Sequence, residues 1–138
     1  MSKILVVEDE KSLRILYSKE LEREGYSVVT SAGRDALDTL EREHPDLVVL
    51  DLRPPPHDDL DSLGRILTAG RRVPVVLNTD YTSCVDDFRS WAADGVIFKS
   101  SDTSELRTKI RELLAAAAVS LRPVSSQRPA SALGGAAA

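Results

Sequence analysis

Five short apolar runs punctuate the chain, and four of them end on a residue that does not belong in a hydrocarbon interior. "KILVV" (Lys3–Val7) runs into Glu8, Asp9 and Glu10, "DLVVL" into Asp51, "VPVVL" into Asn78, Thr79 and Asp80, and "GVIF" into Lys99. The remaining run is "YSVVTS" (residues 26–31). Short β-branched runs that are apolar on both faces are the pattern of strands buried between helix layers. The segments between them carry the other period. "SLRILYSKELEREG" puts Leu13, Leu16, Tyr17 and Leu21 at helical spacing and closes on Gly25. "GRDALDTLEREH" turns Ala36, Leu37 and Leu40 inward, with Pro45 preventing continuation and His44 placed for a C-terminal cap contact. "DDLDSLGRILTAG" carries Leu60, Leu63, Ile66 and Leu67, and "TSCVDDFRSWAA" carries Val85 and Phe88. The last helix is predicted over "DTSELRTKIRELLAAAA", with Leu106, Ile110, Leu113, Leu114 and Ala117 as its stripe and Asp102 with Glu105 as a capping-box-like start. Strand followed by helix, five times over, with short links, predicts an α/β fold: a parallel sheet covered on both faces by helices.

The chain has 138 residues, which suits one domain over residues 1–119. The last stretch, "LRPVSSQRPASALGGAAA", cannot bury enough apolar area to fold alone. Residues 120–138 are therefore read as a disordered tail or as a linker cut short. The formal net charge is −4 and no basic stripe is present, so direct nucleic-acid binding is not expected. A single cysteine, Cys84, excludes an internal disulfide and suits a reducing compartment. "MSKILVVEDE" meets acids too soon for a signal peptide, and no run approaches the roughly 20 apolar residues of a membrane span. The expectation is a cytoplasmic protein without a membrane partner.

In a parallel sheet all the carboxyl ends of the strands lie on one edge, where ligands bind. If the first, third, fourth and fifth strands are neighbours, Glu8, Asp9, Asp51, Thr79 and Lys99 converge there. Clustered acids repel one another unless a cation joins them, and an all-oxygen set favours a hard ion such as Mg2+. A carboxylate beside such an ion can take up a phosphoryl group as an acyl phosphate. Lys99 and Thr79 would then meet phosphoryl oxygens. Taken singly, an acid at a strand end is commonly a helix N-cap or a loop residue, and a lone lysine a surface residue. It is the joint placement on matching strand ends that points to a site.

"ILVVEDE", "DLVVLDL…P", "VPVVLNT" and "AADGVIFK" together resemble the signature of the response regulator receiver domain of two-component signalling, over roughly residues 3–117. The resemblance implies a flavodoxin-like (βα)5 three-layer sandwich with strand order 2-1-3-4-5. It implies that Asp51 is the phosphoacceptor, that Glu8 and Asp9 hold Mg2+ with Asp9 the more direct ligand, and that the backbone carbonyl of Arg53 is a further ligand. Thr79 matches the family's reorienting hydroxyl and Lys99 its lysine. The implied donor is a sensor histidine kinase or a phosphotransfer protein, and the implied output surface is the fourth helix, fifth strand and fifth helix, which is also the candidate homodimer face. The implied chemistry is self-phosphorylation from a donor and slow self-dephosphorylation, without metabolic turnover.

Four positions depart from the family pattern. Asp80 stands where a small residue is usual, Asp59 where glycine is common, Ser100 where proline follows the lysine, and Val96 at the aromatic switch position. Asp80, Val96 and Ser100 motivate a second reading, a receiver-like interaction module that does not depend on phosphate. A hydrolase using Asp51 as nucleophile is a third, disfavoured because the chain has no room for a substrate cap. His57, Cys84 and Trp91 are assigned loop, packing and packing roles, and no glycine-rich nucleotide fingerprint follows the first strand.

Overall fold

The computed structural model describes residues 1–51, 73–80, 93–100 and 102–120. Five strands are present: β1 (Lys3–Val7), β2 (Ser27–Ser31), β3 (Leu47–Leu50), β4 (Val75–Thr79) and β5 (Gly95–Phe98). They form one sheet in the order β2-β1-β3-β4-β5, every neighbouring pair parallel. Three α-helices are described: α1 (Lys11–Arg23), α2 (Ala36–Glu43), entered by a 3-10 turn at Gly33–Asp35, and α3 (Ser104–Ser120), the last of the predicted helices. The helices predicted over residues 58–70 and 82–93 fall outside the described residues, apart from Ala93. So do Arg53, Asp59, His57, Cys84, Trp91 and the predicted tail beyond Ser120.

Strand alternation splits the core in two. Ile4, Val6, Leu47, Val49, Val76 and Ile97 face Tyr17 and Leu21 of α1 and Leu106 and Ile110 of α3. Leu5, Val7, Val48, Leu50, Val75 and Leu77 face Ala36 and Leu40 of α2. Val96 is half-buried against this α2-side core. Fully burying an aliphatic side chain of this kind is worth about 1.5–3 kcal/mol, so these two layers are what hold the sheet edge in place.

Two sequence expectations are corrected. Leu16, grouped with Leu13, Tyr17 and Leu21 by helical spacing, is 38% exposed. At about 100° per residue, Leu13, Tyr17 and Leu21 already fill the inward stripe, and Leu16 falls at its margin. The capping box is the other: α3 begins at Ser104, and Asp102 Oδ1 accepts the Ser104 N–H at 2.9 Å. Asp102 therefore sits two residues before the first helical residue. Gly25 closes α1 at φ +96°, where a β-carbon would be strained. His44 caps α2 in the left-handed region, φ 49° and ψ 59°, donating its N–H to the Leu40 carbonyl.

Candidate functional site

The site is built by ladder hydrogen bonds that continue one residue past each strand. Glu8 donates its N–H to the Ser31 carbonyl at 3.0 Å, Asp51 to Val7 at 3.0 Å, and Lys99 to Thr79 at 2.7 Å. Each of these residues is thus held in strand register although it lies beyond the strand's last apolar residue. Glu8 is 3% exposed, an unusual burial for a glutamate.

Lys99 reaches across the sheet edge. Its Nζ lies 2.9 Å from Glu8 Oε1 and 3.1 Å from Asp51 Oδ1. Both of those oxygens are shut off from solvent. Burial, then repulsion from Glu8, pushes the Asp51 carboxyl up to about 7, against the attraction of Lys99. Burial by itself would lower the Lys99 pKa, but contacts with Glu8 and Asp51 outweigh it and hold the ammonium above its usual value.

The two carboxylates carry one more negative charge than the lysine offsets. Two buried acid oxygens that share a single ammonium, one on an acid whose ionisation is resisted, are a donor set that fits a hard divalent cation such as Mg2+. Among the described residues, no three acid, histidine or cysteine side chains converge closely enough to hold a metal by themselves. Asp9 is exposed, and its Oδ1 accepts the Gly33 N–H at 2.8 Å, on the β2 side of the loop. Glu8, Asp51 and Lys99 are therefore brought together. Thr79 is fully buried at the end of β4 and accepts the Lys99 N–H, and Arg53 lies outside the described residues.

Two contributors were not legible as site residues. Arg14 Nη1 donates to the carbonyls of Glu8, at 2.8 Å, and Asp9, at 3.2 Å, pinning the acidic loop to the first turn of α1. An arginine in the first turn of a helix reads as an ordinary solvated residue, and only the loop's return path reveals its role. Asn78 is 3% exposed, and its side chain lies next to the phenol of Tyr17, itself 3% exposed. Its one signal in the sequence is an amide closing an apolar run.

The family described as response regulator receiver domain matches residues 4–111. Sporulation initiation phosphotransferase F of Bacillus subtilis is 31% identical over 115 residues, spanning 81% of this chain and 93% of that protein. Other curated relatives, named as transcriptional regulators, are longer, and the chain spans about half their length. Among solved structures, the response regulator protein TrrA of Thermotoga maritima in complex with Mg2+–BeF superposes with a TM-score of 0.76 at 37% identity, covering 82% of this chain and 99% of that one. TrrA in complex with the histidine kinase ThkA gives 0.75 at 37% identity, covering 83% and 99%.

Proposed function

The chain belongs to the response regulator receiver domain family of two-component signalling, and from that premise we propose that Asp51 is its phosphoacceptor. The observation that carries this reading is the pair of contacts from the Lys99 ammonium to Glu8 and Asp51 at the carboxyl edge of the sheet. An Asp51 oxygen attacks the phosphorus of a phosphohistidine, on a sensor kinase or a phosphotransfer protein. The P–N bond breaks, an acyl phosphate forms, and the departing imidazole takes up a proton. Lys99 would stand beside the transferred group and offset its charge, and Thr79 would supply a hydroxyl donor.

Glu8, Asp9, Asp51 and the Arg53 carbonyl are the residues assigned to hold Mg2+. Bound there, the ion would neutralise charge on the phosphoryl oxygens. The complexes of TrrA with Mg2+–BeF and with a histidine kinase support both the ion and the donor class for this chain. Among the described residues, no helix is long and apolar enough to cross a membrane.

A second reading has an observation of its own. One oxygen of the exposed Asp9 carboxylate, the acid assigned as the direct ligand, accepts the Gly33 N–H, as suits a docking module that does not depend on phosphate. The deciding experiment is intact-protein mass after incubation with acetyl phosphate, with and without Mg2+, beside Asp51→Asn. A single phosphoryl-sized gain that requires both Mg2+ and Asp51 is expected. No gain, together with no beryllofluoride binding, would favour the docking module.

A further inference from the structure

A buried amide lies next to the phosphoacceptor. The register pairs Val7 with Leu50 and Leu50 with Leu77, so one step further along Glu8, Asp51 and Asn78 form a single row across β1, β3 and β4. Alternation puts Asn78 on the same face as Val76, the α1/α3 side of the sheet. Tyr17 descends onto that face from α1 with only 3% of its surface exposed, and its phenol meets the Asn78 side chain there. A carboxamide and a phenol inside a layer of valine, leucine and isoleucine each cost free energy unless they satisfy one another. Packing alone gives no reason for placing them there.

The path of Lys99 supplies one. Its strand, β5, is separated from β3 by β4, two interstrand spacings or roughly 9–10 Å. Lys99 nevertheless contacts Asp51 on β3 and Glu8 on β1. By alternation with Ile97, its stem starts on the α1/α3 side, so it must cross the end of β4 there. Asn78 is the last residue of β4 on that side. The Tyr17 phenol also lies within electrostatic range of Lys99, Glu8 and Asp51.

We propose that Tyr17 and Asn78 are positioning residues for phosphoryl transfer at Asp51: a buried polar pair over which the Lys99 side chain passes, fixing where its ammonium stands. The pair touches neither donor nor phosphoryl group. It acts through Lys99, and for its effect on transfer it rests on the phosphoacceptor reading.

The test uses the full chain as Tyr17→Phe, Asn78→Val and the double variant. The double variant replaces the pair with apolar groups of similar shape, so its thermal midpoint should return toward wild type even where the single variants fall. Two readouts then separate positioning from packing. The 15N resonance of the Lys99 ammonium should shift or broaden in all three variants. Mg2+-dependent phosphorylation by acetyl phosphate should slow by about three- to tenfold, the range of one hydrogen bond, in the folded double variant. A double variant with an unchanged Lys99 resonance and an unchanged rate would overturn the proposal. If the wild type takes up no phosphoryl group, the phosphoacceptor reading fails by itself. The Lys99 resonance still decides the positioning role, an unmoved signal refuting it and a moved one sustaining it.

Discussion

Lys99 Nζ stands 3.1 Å from Asp51 Oδ1 although a whole strand, β4, lies between the strands that carry them. The same ammonium is 2.9 Å from Glu8 Oε1, one strand further on. One cation thus serves two buried carboxylates, and the cluster retains a net negative charge. The behaviour of the site with pH, with metal and on substitution follows from that imbalance.

The folded Asp51 carboxyl is raised from 3.8 to about 7. Between these values the folded chain holds a proton that the unfolded chain has lost, so this group's contribution to stability is full below about pH 4. It declines as the pH rises through 7. Without Mg2+, Asp51→Asn should flatten the pH dependence of the thermal midpoint in this window. It should also stabilise the protein at pH 8 by roughly 1–2 kcal/mol, less than the full shift implies because Lys99 loses a partner. Thermal melts from pH 4 to 8 would show it, and parallel curves for the two proteins would contradict it.

Lys99→Met removes the one cation in contact with Glu8 and Asp51 among the described residues. Their repulsion is then unopposed, so the variant should lose stability more at pH 8 than at pH 5, where protonation relieves it. The rate of phosphoryl uptake from acetyl phosphate should fall by about 100-fold or more, the usual cost of losing a positioned charge partner. Intact mass against time at fixed Mg2+ measures the rate.

Mg2+ should raise the thermal midpoint, and more at pH 8 than at pH 5.5, because a protonated Asp51 is a poor ligand. At a concentration 100 times the dissociation constant, the gain should be about 2.7 kcal/mol. Glu8→Gln and Asp51→Asn should each lose most of it. A midpoint indifferent to Mg2+ at pH 8 would count against the metal assignment.

Thr103 ties α3 to α1: its hydroxyl donates to Glu20 Oε1 at 2.9 Å and accepts from Arg107 Nε at 3.1 Å. Thr103 is 5% exposed, so Thr103→Val leaves both partners short of a bond and should cost about 1–2 kcal/mol in urea denaturation. The neighbouring contacts of Arg107 and Arg111 with Glu24 are more exposed, and Glu24→Gln should cost less than about 1 kcal/mol.

Much of this architecture is legible along the chain because it is periodic. All five strands fall on the apolar runs read from the sequence, within one or two residues at each end, and the inward stripe of α3 contains Leu106 and Ile110 as expected. Glu8, Asp51 and Lys99 stand out for a related reason: a charge at the end of a buried run breaks the pattern. Spacing does not separate Leu16 from the inner stripe of α1, because how wide that stripe is depends on the neighbour it packs against.

Local sequence thus determined which segments are strands, which are helices, and which ionisable residues stand at the strand ends, since hydrophobic period and chain punctuation act over a few residues. Only tertiary structure decided that Lys99 spans β4 to reach two acids, that Asp9 turns to the Gly33 amide, and that Tyr17 descends onto Asn78. Those outcomes depend on strand order, register and the seating of α1. They join residues up to 91 positions apart, as Glu8 and Lys99 are, through side-chain charge and polarity that no local period encodes.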